Sequence, residues 1–297
     1  MSAASRRRLT RDGFENRFFG IARWVVIAAL LIATIFPFYY MGLLSVRGLG
    51  DVLNNPGALW VAIGDLSFDA YTRALLPVVD GGEGFLGFMR NSAVLAIGTV
   101  VVTLAVSIPG SYAVSRLRFF GRRQVSVLFL AVYLFPSILL AVPLFVFFTR
   151  VGLRGSLIAV ILVYVSQTVA VSIYMLRNYF ETIPVSLEEA AALDGASRLG
   201  IMRRISLPLA MPAIVANGLF VFMVAWNEFL FALLFLVDDR NRWTVSLGLS
   251  QLTGNSIEVP TTVLMAASVI TTIPIVIIFF ASERLLTEGL TSGAEKG

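Results

Sequence analysis

Long apolar runs alternate with short polar segments along the 297 residues. A helix that crosses a bilayer needs about 20 consecutive, mostly apolar residues. Six runs meet that length: Trp24–Val46, Asn91–Ser115, Gln124–Phe148, Leu157–Leu176, Leu209–Val237 and Thr262–Ser282. The pattern predicts an all-α membrane protein with six transmembrane helices. Around them lie a tail at 1–23, an external segment at 47–90, a loop at 177–208, an external loop at 238–261 and a tail at 283–297. The segment 47–90, with Pro56, Pro77 and Gly81-Gly82-Glu83-Gly84, is expected to cap the second span. Pro37, Pro109, Pro136, Pro143 and Pro274 fall inside runs. Packed neighbours can satisfy the backbone groups that proline frees, so ordinary kinks are expected. A sharper alternative makes Pro136 and Pro143 hinges of a pathway-lining helix.

Charge orients the runs. Basic residues collect on the cytoplasmic side of membrane proteins. The N-terminal tail (Arg6, Arg7, Arg8, Arg11, Arg17, Arg23), the loop after the second run (Arg116, Arg118, Arg122, Arg123), the 177–208 loop (Arg177, Arg198, Arg203, Arg204) and the C-terminal tail (Arg284, Lys296) fall on one side. Arg47, Arg73, Arg90, Arg150, Arg154, Arg240 and Arg242 fall on the other. The bias predicts a plasma-membrane protein with both termini cytoplasmic. The first run follows a long basic tail with no small-residue cleavage site after it, and reads as a retained anchor.

Composition narrows the chemistry. Hydrophobic residues make up 58% and charged residues 14%, with mean hydropathy +0.86; a soluble domain carries about 25% charged residues. There is no cysteine and no histidine, so no thiolate, no disulfide framework, and neither the usual general base nor the usual zinc ligand. Lys296 is the one lysine, which excludes a phosphate-binding GxxxxGK[ST] loop. No catalytic, metal or cofactor residues are expected, and energy for transport must come from a partner or an ion gradient. The net charge of +5 flanks apolar runs rather than forming a phosphate-binding stripe, so nucleic acid is not an expected partner.

The 177–208 loop is the most punctuated polar segment. Ser186 with Glu189 three residues on reads as a capping box. A helix is expected over 187–194, ended by Gly195 in the left-handed conformation. A second short helix is expected over 196–206, and Pro208 opens the next run. Ala190, Ala191, Ala192 and Ala196 leave little side chain between this loop and any surface that approaches it.

Glu189-Ala190-Ala191, Gly195 after three residues, Ile205 after nine more, and Leu207-Pro208 resemble the EAA motif of permease subunits of ATP-binding-cassette (ABC) importers, EAA-x3-G-x9-I-x-LP. Every fixed position is filled. The string Ser186–Gly195, Trp226-Asn227-Glu228-Phe229 and the ending Gly289–Gly297 are similar to the carbohydrate-uptake branch, that of maltose and trehalose permeases; Glu295 departs from it. The likeness spans about 88–284 and on to the C-terminus. It implies half of a translocation pathway for a sugar, such as trehalose or maltose. It also implies a second homologous permease, two ATP-binding subunits that hold ATP and Mg, and an extracytoplasmic sugar-binding protein or lipoprotein. Glu188, Glu189, Ala190, Ala191, Asp194, Gly195, Ala196, Ile205, Leu207 and Pro208 would form the ATPase-docking element. For Glu189, capping alone is the plainer alternative.

Trp226, Asn227 and Glu228 are candidates for the substrate pathway. The resemblance allows Glu228 to contact a sugar hydroxyl and Trp226 to stack on its ring. A structural hydrogen bond from Glu228 and an interfacial Trp226 are the plainer roles. Thr253, Gly254, Asn255 and Ser256 are candidates for contacting a binding protein, or a solvated turn. An ion-coupled transporter is the main rival; it needs buried acids or matched broken helices, and Glu228 alone is expected to qualify. An ABC permease for a non-sugar solute is the other.

Overall fold

The computed structural model describes residues 11–254 and 259–294, with side chains placed over 18–254 and 259–283 except at 126, 130 and 133. It is helical almost throughout the described residues. In chain order the helices are α1 (Arg11–Ser45), α2 (Leu49–Asn54), α3 (Asp69–Leu75), α4 (Phe85–Arg116), α5 (Arg122–Leu134), α6 (Ala141–Arg150) and α7 (Leu157–Thr182). They continue with α8 (Val185–Leu193), α9 (Arg198–Ile201), α10 (Leu207–Leu209), α11 (Met211–Asn227), α12 (Leu230–Leu236), α13 (Val245–Gly254) and α14 (Thr261–Ala294).

Among the described residues, four helices are long and apolar enough to cross a membrane: Phe18–Ser45, Phe85–Arg116, Leu157–Thr182 and Thr261–Glu283. The other two expected spans are interrupted. The third breaks at Phe135–Pro136, between α5 and α6. Pro136 disfavours helical φ/ψ at Phe135, which is extended at φ −75°, ψ 126°. Pro143 sits in the first turn of α6, where a missing N–H costs little, so it neither kinks nor hinges that helix. The fifth bends by 75° between Arg198–Leu209 and Met211–Asn227, and breaks again at Glu228, extended at φ −66°, ψ 133°. The single helices expected over 124–148 and 209–237, with ordinary kinks at proline, are thus each divided into separate helices.

α4 is the centre of the bundle and lies along α7 and α11; α14 packs on α11, α1 and α3. Hydroxyl pairing tightens the α4–α7 seam, where Thr103 and Thr168 meet at 2.9 Å. Small polar residues let membrane helices approach without a hydrophobic driving force. The main core gathers Phe85, Phe88, Tyr164, Trp226, Phe231 and Phe235, among others. A second, smaller core of Tyr112, Leu176, Phe180, Ile183, Ala210 and Ile214 lies at the end that carries the 177–208 loop. The outer faces stay apolar: Trp24, Leu30, Ile32, Ile35 and Phe38 of α1 are all exposed, as a lipid solvent demands.

The 47–90 segment packs rather than trails. Arg47 is buried and binds the Asp51 carboxylate and the carbonyls of Asp51, Asn55 and Ala58, which folds the chain back after α1. α3 rests chiefly on α14 and partly on α4. Glu83 pairs with Arg73 at 3.5 Å and Arg240 at 3.1 Å, joining this segment to the 238–243 turn.

Candidate functional site

The loop after α7 turns at Ile183-Pro184 and enters α8 two residues earlier than a Ser186 capping box would place it. Pro184 is the capping position, at φ −58°, ψ 125°, and no side chain caps the helix. Ser186 lies inside α8, so the expected Ser186–Glu189 capping box is not formed. Proline's fixed φ already sets the entry geometry and leaves the hydroxyl without that role. The far end follows expectation. The Gly195 N–H donates to Ala192 O at 3.1 Å and the Ala196 N–H to Ala191 O at 3.0 Å, with Gly195 at φ +84°. This pair of bonds is the Schellman motif, and it favours a residue without a Cβ at Gly195. The second helix begins at Ser197, whose Oγ accepts from the Gly200 N–H at 3.2 Å. It passes through a π turn at Met202–Ser206 into α10.

The result is a helix–bend–helix with a small-residue outer surface. Glu189, Ala190, Asp194, Gly195, Ala196 and Pro208 are exposed; Ala191, Ile205 and Leu207 are half-buried. Leu193 is 90% exposed and Leu199 53%, beside the bend. Sequence reasoning passed over both leucines, although an apolar side chain set among alanines and charges is a signal for an interface.

Glu188 faces the other way. It is buried and accepts on Oε1 from Arg116 Nε at 3.0 Å and Ser206 Oγ at 2.8 Å, and on Oε2 from the Tyr112 hydroxyl at 3.4 Å. Arg116 also donates to Ile183 O at 2.7 Å. Of the ten loop candidates, Glu188 alone lies beneath the exposed surface.

The three mid-span candidates separate. Glu228 accepts from the Tyr164 hydroxyl at 2.6 Å and from the N–H groups of Phe231 at 2.9 Å and Ala232 at 3.2 Å. It therefore caps α12 where the fifth span breaks. Trp226 is buried, stacked on Phe222 at 5.3 Å, with its indole N–H on Thr271 O at 3.3 Å. The ring is thus held between α11 and α14, and Trp226 also lines the cavity described below. Asn227 is exposed and donates to Met223 O at 2.8 Å.

Beyond α12, the 238–261 segment is not an open polar loop. α13 folds back into the bundle, with Val245, Leu247, Gly248 and Leu252 buried and Ser246 donating to Trp226 O at 3.0 Å. Gly248 meets the Phe88 ring, where an added Cβ would lie 2.4 Å from Cδ2. Thr253 and Gly254 end α13 and are exposed; Asn255 and Ser256 lie outside the described residues. A cavity of about 1100 Å³ sits between the start of α4, the 77–84 turn, α11 and α14. Its lining is mostly apolar, with Arg90, Arg240 and Asn241 as the polar groups.

Comparison with known proteins agrees with this architecture. The chain is 38% identical over 302 residues to the inner membrane ABC transporter permease protein YcjP of Escherichia coli, covering 99% of this chain and 100% of that relative. It is 37% identical over 275 residues to the trehalose/maltose transport system permease protein MalG of Thermococcus litoralis, covering 92% and 96%. Its fold is similar to that of a chain in the crystal structure of a bacterial ABC transporter that imports the acidic polysaccharide alginate, with a TM-score of 0.77, 24% identity, and coverage of 96% and 99%. A family model matches residues 107–292, from the second half of α4 through the 177–208 loop into the last turn of α14, and the chain belongs to that family, the binding-protein-dependent transport system inner membrane components.

Proposed function

We propose that this permease forms half of the translocation pathway of an ABC importer for carbohydrates, with trehalose or maltose as the first solutes to test. The relatives named for trehalose and maltose support the sugar class. The observation that carries the mechanism is the exposed helix–bend–helix around Gly195, filled at every position of the EAA pattern. In this reading Glu189 forms a charge-assisted bond with a basic residue of an ATPase subunit, and Ala190, Ala191, Asp194, Gly195, Ala196, Ile205, Leu207 and Pro208 shape the contact. ATP and Mg are held by that partner. Closure of the ATPase dimer moves the loop, and α7 and α10–α11 carry the motion into the membrane.

The chain crosses the membrane six times when α5–α6 and α11–α12 each count as one interrupted span. Both termini and the 177–208 loop then lie in the cytoplasm. A second homologous permease completes the pathway, and an extracytoplasmic binding protein delivers the sugar near the ends of α12 and α13, with Thr253 to Ser256 as contacts. The full engagement of Glu228 by Tyr164 and two backbone N–H groups weighs against an ion-coupled mechanism, which needs an acid free to exchange its ion.

The test is uptake by the four-component importer in proteoliposomes, with ATP on the ATPase side. Labelled trehalose and maltose should accumulate only with ATP and the binding protein present. Accumulation driven by an ion gradient without the ATPase subunits would overturn the proposal. ATP-driven uptake of an amino acid but no sugar would overturn the solute class alone.

A further inference from the structure

We propose that Glu188 is a positioning residue that fastens the docking loop to α4, so that motion of the loop enters the bundle through three helices rather than two. This rests on the docking role of the loop.

The chain itself joins the loop only to α7, through Ile183-Pro184, and to α11, through α9 and α10. α4 ends at Arg116, 72 residues before Glu188, and has no covalent reason to follow the loop. The Glu188 carboxylate supplies the connection. Its side chain and that of Arg116 are 10% and 8% exposed, so the pair is largely withdrawn from water. Such a pair persists only when the remaining lone pairs find donors. Here Ser206, in the π turn, and Tyr112, one turn before Arg116, provide them. One carboxylate thus binds the first loop helix, the second loop helix and the end of α4. Buried polar pairs of this kind fix register more dependably than they add stability. α4 lies along both α7 and α11, so a loop held to its end moves the centre of the bundle without slack. The neighbouring acid, Glu189, points outward and has none of these bonds. Adjacent carboxylates therefore have opposite tasks, one facing the ATPase and one facing the bundle.

The experiment uses the complete importer in proteoliposomes and reads solute transported per ATP hydrolysed, normalised to assembled complex. Glu188→Gln and Arg116→Gln should each lower that ratio about tenfold, the size of a typical coupling between sites. The double variant should be no worse than the more affected single. Tyr112→Phe keeps its ring on Phe180 and loses only the hydroxyl; with Ser206→Ala it should shift the ratio in the same direction, by less. These two carry the test should the charge variants fail to insert. An unchanged ratio in assembled complexes overturns the proposal. So does a transport loss that only tracks the amount of assembled complex, because a merely structural bond would act that way. Loss of ATPase binding by the Glu188 variant would place the residue on the docking surface instead. Gly195→Asp separates the parent reading: normal transport by that variant removes the docking role whatever Glu188 does.

Discussion

Tyr164 donates its hydroxyl to Glu228 at 2.6 Å, tying the middle of α7 to the break between α11 and α12. The same carboxylate caps the first turn of α12. An acid within a membrane span is a functional candidate by default; this one, half-buried, is bound by its own chain. Tyr164→Phe should lower unfolding stability in detergent by about 1 kcal/mol, the net worth of an intramolecular hydrogen bond. Glu228→Ala should cost more, because two backbone N–H groups at the start of α12 also lose their acceptor. Glu228→Gln should retain most transport. Thermal unfolding and uptake on the same preparations check all three, and a Glu228→Gln protein that is fully stable yet inactive would restore the acid to the sugar pathway.

Gly195→Asp should insert normally and abolish transport. The position has φ +84°, and a side chain there both strains the bend and adds a like charge beside Glu189 and Asp194. Membrane fractionation with uptake measurement decides it.

Ser197 and Ser186 make a contrast within one loop. Ser197→Ala removes the cap of α9 and should destabilise that helix by about 1 kcal/mol. Ser186→Ala should be close to neutral, since Pro184 begins α8 without it. Amide hydrogen exchange should show faster exchange at Gly200 in the first variant and no change in α8 in the second.

Gly248→Leu should destabilise the fold by about 1–3 kcal/mol through overpacking against Phe88. The space is already closed, since even a Cβ lies 2.4 Å from that ring. A lowered thermal midpoint in detergent is the readout.

Asp51 gives the external segment an acid limit. The bond from Arg47 holds its carboxyl below the usual carboxylate range. Its contribution to stability is present above about pH 4, the unfolded carboxylate value. It is lost as pH falls through the lower folded value. Asp51→Asn should flatten that part of the stability profile when unfolding is followed against pH.

The helical class and the bend at Gly195 between two short helices were legible in the sequence. Apolar runs long enough to cross a bilayer read directly as helices, and Gly195 announces its own conformation. The interruptions were harder. Pro136 reads equally as a kink or a break, and packing around α5 and α6 selects between them. Glu228 looks like a lone buried acid until the backbone stops beneath it and turns it into a cap. The inward course of α13 was hidden because its polar residues read as a loop, while the groups that bury it, Phe88 on α4 and Trp226 on α11, are distant in the chain. Glu188 and Glu189 are indistinguishable by type. Only the tertiary meeting of Arg116, Tyr112 and Ser206 tells them apart.

Between α10 and α11 the chain turns at Ala210, and Pro212 follows in the first turn of α11. Pro212 has no N–H with which to bind the Pro208 carbonyl one turn back. The elbow is thus framed by two intact bonds, Ala210 N–H to Ser206 O and Ile214 N–H to Ala210 O, and of the positions between them Pro212 can supply no rung by covalent structure. In the proposed mechanism this 75° elbow would act as a bell crank: a sideways shove on α9–α10 becomes a tilt of α11, and no helical rung at Pro212 has to snap for the angle to change.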